Sequence, residues 1–131
     1  MALLEGKVAI VTGGNGGLGR RISFALAKNG VDVAIIFKES KHEAESVSTK
    51  IRSFGVNSFA FQCDISKSQD VKLMVEAVEN KFNRLDILIN NAAYNKWIPY
   101  SNLDEMTEDE WNKMLQINLT AHLMCMKYSV P

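Results

Sequence analysis

The sequence is poor in cysteine and proline and carries no excess of charge of either sign. Its 131 residues include two cysteines and two prolines, and 15 basic side chains balance 15 acidic ones. Cys63 and Cys125 lie far apart and form no CxxC pair, which argues against a disulfide framework or a zinc cluster and favours buried, reduced thiols. Balanced charge argues against a basic nucleic-acid-binding protein.

Long apolar runs are also missing. No segment approaches the ~20 apolar residues that a membrane-spanning helix needs. The segment Met1–Lys7 has neither a basic stretch nor a long apolar stretch, so it does not resemble a signal peptide. We therefore expect a cytoplasmic protein that binds neither membrane nor nucleic acid.

Short apolar segments alternate with longer amphipathic ones along the chain. The short segments predict buried strands and the longer ones predict helices. In chain order the pattern predicts strand 8–11, helix 18–29, strand 31–37, helix 41–54, strand 57–63, helix 66–82, strand 85–89, a loop, and a helix from 107 onwards. Capping-box spacing at Ser66 and Thr107 predicts the starts of the last two helices. This alternation predicts an α/β fold with a doubly wound parallel sheet, whose ligands bind at the carboxyl ends of the strands.

The strongest motif is a glycine-rich loop between the first strand and the first helix. It reads Thr12-Gly13-Gly14-Asn15-Gly16-Gly17-Leu18-Gly19. A strand–loop–helix of this kind presents free backbone N–H groups and a partial positive charge to a phosphate. We expect Gly13 to permit the turn, Gly17 to let a pyrophosphate approach and Gly19 to let the helix pack closely. The alternative is a flexible turn without a ligand.

The spacing TGxxxGxG resembles the short-chain dehydrogenase/reductase family. Three further motifs agree with that resemblance: Asp64-Ile65 after the third strand, Asn90-Asn91-Ala92-Ala93 after the fourth, and Asn118 in the last helix. The second of these has Ala93 where the family usually has glycine. The resemblance implies a Rossmann-type fold, with residues 1–131 forming an incomplete NAD(P)-binding domain that stops after the helix following strand four.

The resemblance also implies roles for individual residues. Cofactor-binding positions would be Thr12, Gly13, Asn15, Gly17, Leu18, Gly19, Asp64, Ile65, Asn91 and Ala92. Asp64 would contact the adenine, and Asn118 would take part in a catalytic proton relay through its backbone carbonyl. Simpler interpretations are that Asp64 caps a turn, that the paired asparagines form a turn, and that Asn118 is satisfied locally.

Cofactor preference should be set at the end of the second strand. A carboxylate there binds the 2′-hydroxyl of NAD, whereas a basic residue accommodates the 2′-phosphate of NADP. Phe37 stands where the carboxylate is expected, and Lys38 follows it. Ser40 could add a hydroxyl, while Glu39 argues the other way. We expect NADP(H) to be favoured over NAD(H).

Family chemistry would be hydride transfer between the nicotinamide and a small carbonyl or alcohol substrate. Its catalytic Ser and its Tyr-x-x-x-Lys pair cannot be placed: Tyr94 is followed four residues later by Ile98, and Tyr100 by Asp104. The chain therefore resembles the N-terminal half of such an oxidoreductase. Two alternatives remain: a dinucleotide-binding module without chemistry, and an inactive truncation product whose apolar residues Leu115, Leu119 and Met124 are uncovered.

Some features carry little functional information. His42 and His122 have no partner at metal-ligand spacing, so no metal site is predicted. Trp97 and Tyr100 follow strand four, where packing and substrate contact are equally compatible with the sequence. Parts of the sequence look similar to bacterial glucose dehydrogenases and ketoacyl-carrier-protein reductases, which does not select a substrate. The resemblance also implies that the complete protein is a homodimer or homotetramer, as complete members of the family commonly are.

Overall fold

The computed structural model describes residues 3–131, so Met1 and Ala2 of the segment examined for a signal peptide lie outside the described residues. Strands and helices alternate as the sequence predicts. Their bounds are β1 Val8–Thr12, α1 Gly17–Lys28, β2 Asp32–Phe37, α2 Lys41–Arg52, β3 Ser58–Gln62, α3 Ser68–Phe82, β4 Ile87–Ile89, α4 Glu108–Leu115 and α5 Ala121–Ser129. A 3₁₀ segment, Tyr100–Glu105, lies in the predicted loop, and a π-helical turn, Gln116–Thr120, joins α4 to α5.

The four strands form one parallel sheet in the order β3-β2-β1-β4. Thr12 pairs with Ile36 and Phe37 with Gln62, while Val11 pairs with Ile89. The strands therefore end together at one edge, as expected for a doubly wound Rossmann-type sheet. The chain reverses its direction of winding between β1 and β4, and the loops after these strands separate to leave a crevice.

The core lies on both faces of this sheet. Alternate residues of β1 point to opposite sides, since successive side chains of a strand do so. Val8 and Ile10 pack with α3 and α5, whereas Ala9 and Val11 pack with α1 and α2. Burial on both faces explains why β1 and β2 are apolar without alternation.

One of the two predicted capping boxes is wrong. Helix α3 begins at Ser68 with Lys67 as its N-cap, and no side chain caps it. The hydroxyl of Ser66 instead donates to Asp64 Oδ1 at 2.6 Å, because that nearby carboxylate is a stronger acceptor for it. The capping box predicted at Thr107 is confirmed for the N-cap hydrogen bond: Thr107 is the N-cap of α4, and its Oγ1 accepts from the Glu110 N–H at 3.2 Å.

The last helices leave apolar side chains exposed, but not quite the predicted set. Leu115 and Leu119 are exposed, the latter by 65%. Met124 was expected beside them and is instead partly buried against the core under α3 and α5, while Leu123 is exposed. The π-helical turn adds a residue per turn and rotates α5 relative to α4, which explains the exchange. Across residues 3–131, no helix has both the length and the apolar character needed to cross a bilayer.

Candidate functional site

A cleft of about 650 Å³ lies at the carboxyl edge of the sheet. Its wall is formed by the loops after β1, β2, β3 and β4. Most of the residues singled out in the sequence line it: Gly13, Asn15, Gly17, Leu18, Gly19, Lys38, Asp64, Ile65, Asn91 and Ala92. Topology brings these residues together, because parallel strands of one sheet deliver their following loops to one edge.

The geometry of the loop requires glycine at positions 13 and 19. Gly13 adopts a positive φ of 62°, a conformation that residues with a Cβ rarely take. A Cβ on Gly19 would lie 2.2 Å from the carbonyl oxygen of Gly13 and 2.6 Å from Asn91 Nδ2. Helix α1 can approach the loop only because Gly19 has no side chain. By contrast, a Cβ on Gly17 would meet no atom within 4 Å, so the space beside Gly17 is open.

The backbone N–H groups at the N-terminus of α1 face the open space beside Gly17. Gly16 is the N-cap, and no side chain of the described residues caps the helix. The first helical N–H groups and the positive end of the helix dipole are therefore available to an anion. Together with the open space beside Gly17, this arrangement fits the pyrophosphate of a dinucleotide.

Thr12 lies behind the cleft and does not line it. Its hydroxyl donates to the carbonyl oxygen of Ile89 at 3.3 Å and accepts from the N–H groups of Asn91 and Ala92, each at 3.0 Å. These three bonds use the full capacity of a hydroxyl group. Asn91 in turn donates hydrogen bonds from its Nδ2 to the carbonyl oxygens of Thr12 and Gly13, at 3.0 and 3.2 Å. Thr12 and Asn91 thus fasten the loop after β1 to the end of β4.

Lys38 and Asp64 form an ion pair across the ends of β2 and β3. Lys38 Nζ lies 3.1 Å from Asp64 Oδ2. Asp64 Oδ1 also accepts from the backbone N–H and the hydroxyl of Ser66, at 3.1 and 2.6 Å. Partial burial alone would raise the pKa of Asp64, but the Ser66 hydrogen bonds and the Lys38 ammonium outweigh it and keep this pKa below its ordinary value. Asp64 therefore stays ionised, and it does form the local turn contact that the simpler interpretation anticipated.

The loop after β2 is held by its backbone. Gln62 Nε2 donates to the carbonyl oxygen of Lys38 at 2.9 Å, and Asn15 Nδ2 donates to that of Glu39 at 3.3 Å. Ser40, the N-cap of α2, adopts a left-handed conformation with φ 62° and ψ 55°, which is uncommon for a residue other than glycine. Phe37 is buried in the core and also lines the cleft, but its side chain carries no charge. The Lys38 side chain is thus the basic group that this loop presents.

Asn118 lies in the π-helical turn, and its side chain forms two hydrogen bonds with the loop after β4. Its Oδ1 accepts from the Tyr94 N–H, and its Nδ2 donates to the Tyr94 carbonyl oxygen, both at 2.8 Å. The side chain is therefore satisfied by a segment 24 residues away in sequence, whereas the simpler interpretation had placed its partner nearby. Asn118 does not line the cleft, although its neighbour Ile117 does. π-Helical turns are frequent at functional sites.

Some of the residues that line the cleft were not anticipated as site residues from the sequence. Tyr94 and Lys113 both line the cleft, and Lys113 Nζ lies 4.0 Å from the centre of the Tyr94 ring. The Tyr94 hydroxyl donates to Glu110 Oε2 at 2.9 Å. An i, i+3 relation between Glu110 and Lys113 was visible in the helix pattern, but nothing local indicated that both would meet Tyr94.

Other candidates lie away from the cleft. Trp97 and Tyr100 are 79% and 100% exposed and do not line it. His122 Nε2 lies 2.9 Å from the carbonyl oxygen of Ala92 and thereby joins α5 to the loop after β4. Over residues 3–131, no three His, Cys, Asp or Glu side chains cluster in a way that could hold a metal ion.

The fold and this cleft define a Rossmann-type nucleotide-binding architecture. Comparison with known sequences identifies the family to which the chain belongs. A sequence profile described as short chain dehydrogenase matches residues 7–131. The chain belongs to the short-chain dehydrogenase family, whose members are oxidoreductases that bind nicotinamide cofactors.

Two curated relatives illustrate the range of lengths in the family. A 3-oxoacyl-[acyl-carrier-protein] reductase FabG of Staphylococcus aureus is 37% identical over 125 residues, covering 95% of this chain and 50% of the relative. The short-chain dehydrogenase/reductase homolog YusS of Bacillus subtilis is 43% identical over 103 residues, covering 79% of this chain and 94% of the relative. The chain thus spans about half the length of FabG but nearly all of YusS.

Solved structures agree with the fold. A short chain dehydrogenase from Burkholderia cenocepacia in complex with NADP superposes with a TM-score of 0.90 and 35% identity, covering 96% of this chain and 50% of that one. An NAD⁺-bound xylitol dehydrogenase gives a TM-score of 0.87 and 27% identity, covering 97% of this chain and 48% of that one.

Proposed function

We propose that residues 1–131 form part of an NAD(P)-binding domain and that the cleft holds a nicotinamide dinucleotide, with NADP(H) favoured. The observation that carries this proposal is the glycine loop: an uncapped helix N-terminus faces open space beside Gly17, while Gly19 has no room for a Cβ. Such a cradle fits a pyrophosphate and leaves the adenosine to run toward Lys38 and Asp64.

The residues present fit the dinucleotide in an order along the cleft. The N–H groups at Gly17, Leu18 and Gly19 would hold the pyrophosphate. Lys38 would face the 2′-substituent of the adenosine ribose, and Asp64 with Ile65 would border the adenine. Asn91 and Ala92 would border the adenosine ribose, with Thr12 holding them in place. When bound, the cofactor supplies the hydride, while these residues bind and orient it.

We further propose that the activity of the whole protein is hydride transfer between this cofactor and a small carbonyl or alcohol substrate. The names of two similar proteins, an oxoacyl reductase and a xylitol dehydrogenase, support this substrate class. Within the family chemistry, Asn118 would act through its backbone carbonyl in proton relay, with its side chain holding Tyr94. Tyr94 and Tyr100 are not followed by a lysine four residues later, which is the spacing of the family's catalytic Tyr and Lys.

A second candidate is dinucleotide binding without hydride transfer by this chain. The alignment with YusS favours it, because it takes in 94% of a relative that is itself short. The two candidates share the cleft and differ in turnover. Oxidation of NADPH with a panel of ketones and aldehydes, measured on the protein encoded by the complete open reading frame, separates them: turnover supports the first candidate, and NADPH binding without turnover supports the second.

The binding proposal is tested by calorimetric titration with NADPH and NADH. Gly17→Glu places a carboxylate at the first position of α1, where the helix dipole tolerates it but phosphates would be repelled. Ser68→Glu makes the same charge change at the first position of α3, outside the cleft. We expect Gly17→Glu to lose binding and Ser68→Glu to bind as the wild type does. Absence of saturable binding by the wild-type chain would contradict the proposal.

A further inference from the structure

The Lys38–Asp64 ion pair joins two parts of the cleft to which different parts of a dinucleotide would bind. Lys38 follows β2, at the place that would read the 2′-substituent of the ribose. Asp64 follows β3, beside Ile65. Their charged atoms lie 3.1 Å apart, so the lysine that would meet a 2′-phosphate already has an anionic partner.

The side chains of Asp64 and Lys38 differ in how strongly their surroundings fix them. The Asp64 side chain is 21% exposed and accepts two hydrogen bonds from Ser66. The Lys38 side chain is 57% exposed, and the contact from Gln62 reaches its backbone carbonyl rather than its ammonium group. The carboxylate is therefore the fixed member of the pair, and the ammonium is the member that can turn to another anion.

A 2′-phosphate would carry nearly two negative charges. To bind it, the Lys38 ammonium must leave Asp64 or be shared with it, and the carboxylate remains where Ser66 holds it. Part of the attraction between the lysine and the phosphate is thereby offset. An exposed pair of this kind contributes up to about a factor of five in an equilibrium constant.

We propose that Asp64 is a specificity-determining residue that acts through Lys38 and reduces the preference for a phosphorylated dinucleotide. This inference rests on the proposed function, since it concerns which dinucleotide the same cleft prefers. The adenine side of the cleft and its 2′-phosphate side are coupled through this pair, so their residues do not act independently.

The experiment compares the dissociation constants of NADPH and NADH in four proteins: wild type, Asp64→Asn, Lys38→Met and the double variant. Asp64→Asn should raise the preference for NADPH about fivefold, and Lys38→Met should lower it. In the Lys38→Met background, Asp64→Asn should leave the preference unchanged. The ratio is the readout because a loss of adenine contact at Asp64 weakens both dinucleotides equally.

Three outcomes would overturn the inference. The preference could stay unchanged in Asp64→Asn, it could stay unchanged in Lys38→Met, or it could rise as much in the double variant as in the single one. The last outcome would show that Asp64 repels the phosphate directly. If the wild-type chain binds neither dinucleotide, the proposed function itself fails, which is a different result.

A matched control removes one negative charge elsewhere. Glu79→Gln, on the exposed side of α3 and outside the cleft, should leave the preference unchanged. Circular dichroism checks that each variant is folded. If Asp64→Asn does not fold, Asp64→Ser removes the same charge with a shorter side chain that can still bond to Ser66, and the same ratio is measured.

Discussion

Replacing Gly19 with alanine should disrupt the glycine loop, and the structure gives the size of the effect. The added Cβ would meet the Gly13 carbonyl oxygen at 2.2 Å and Asn91 Nδ2 at 2.6 Å. Neither atom is the free end of a flexible side chain: one belongs to the backbone, and the other donates to the Thr12 and Gly13 carbonyls. The helix must therefore move away from the loop.

Overpacking of this kind typically costs about 1–3 kcal/mol, and alanine in a helix returns up to ~1 kcal/mol relative to glycine. Because the clash involves backbone, we expect a net loss of about 2 kcal/mol in the free energy of unfolding. For a urea slope of ~2 kcal/mol/M, the unfolding midpoint falls by about 1 M. NADPH affinity should fall as well, since the cradle opens.

Gly17→Ala is the matched variant, because its Cβ meets nothing within 4 Å. Its stability should stay equal to that of the wild type or rise by up to ~1 kcal/mol. Its NADPH affinity should fall, because the methyl group enters the space beside the helix N-terminus. Urea unfolding followed by circular dichroism, together with NADPH titration, measures both quantities. A Gly19→Ala protein with wild-type stability and affinity would refute this account of the loop.

Three further predictions follow from other contacts. Thr12→Val should lower the free energy of unfolding by about 2 kcal/mol or more, because the N–H groups of Asn91 and Ala92 lose their acceptor. Thr12→Ser keeps the hydroxyl and should retain most of the wild-type stability. Thermal unfolding of both variants measures the difference. The Arg84 guanidinium keeps the pKa of Asp86 well below its ordinary value. The ionised Asp86 therefore stabilises the fold above about pH 4, and this stabilisation is lost as the pH falls below that value. Asp86→Asn should flatten the acid unfolding curve in this range, and an unchanged curve would contradict this. Burial raises the pKa of Cys63 to about 12 and that of Cys125 to about 11, so a thiol reagent should modify both only after unfolding; rapid reaction of the native protein would contradict this.

The order of strands and helices could be predicted from the sequence because each element carries its own local signal. β1 and β2 are short and apolar on both faces, and glycine clusters or polar turns follow them. The position of Gly19 could also be predicted, since close packing of the helix on the loop is a consequence of strand–loop–helix geometry. These features depend on residues close to one another in the chain.

Contacts between distant segments could not be predicted in the same way. The bonds from Asn118 to Tyr94 and the pairing of Lys38 with Asp64 depend on loops that only the assembled sheet brings together. The capping box at Ser66 failed for a related reason. Its hydroxyl had two possible partners, and the Asp64 carboxylate, held at the end of β3, was the better acceptor.

The central claim is that the cleft at the carboxyl edge of the sheet holds a nicotinamide dinucleotide. Amide chemical shifts of the ¹⁵N-labelled chain during NADPH titration test it most directly. The account predicts saturable shifts that are largest at Gly17–Gly19, at Lys38 and at Asn91–Ala92. Absence of saturable shifts, or shifts concentrated at another surface such as the ends of α4 and α5, would contradict it.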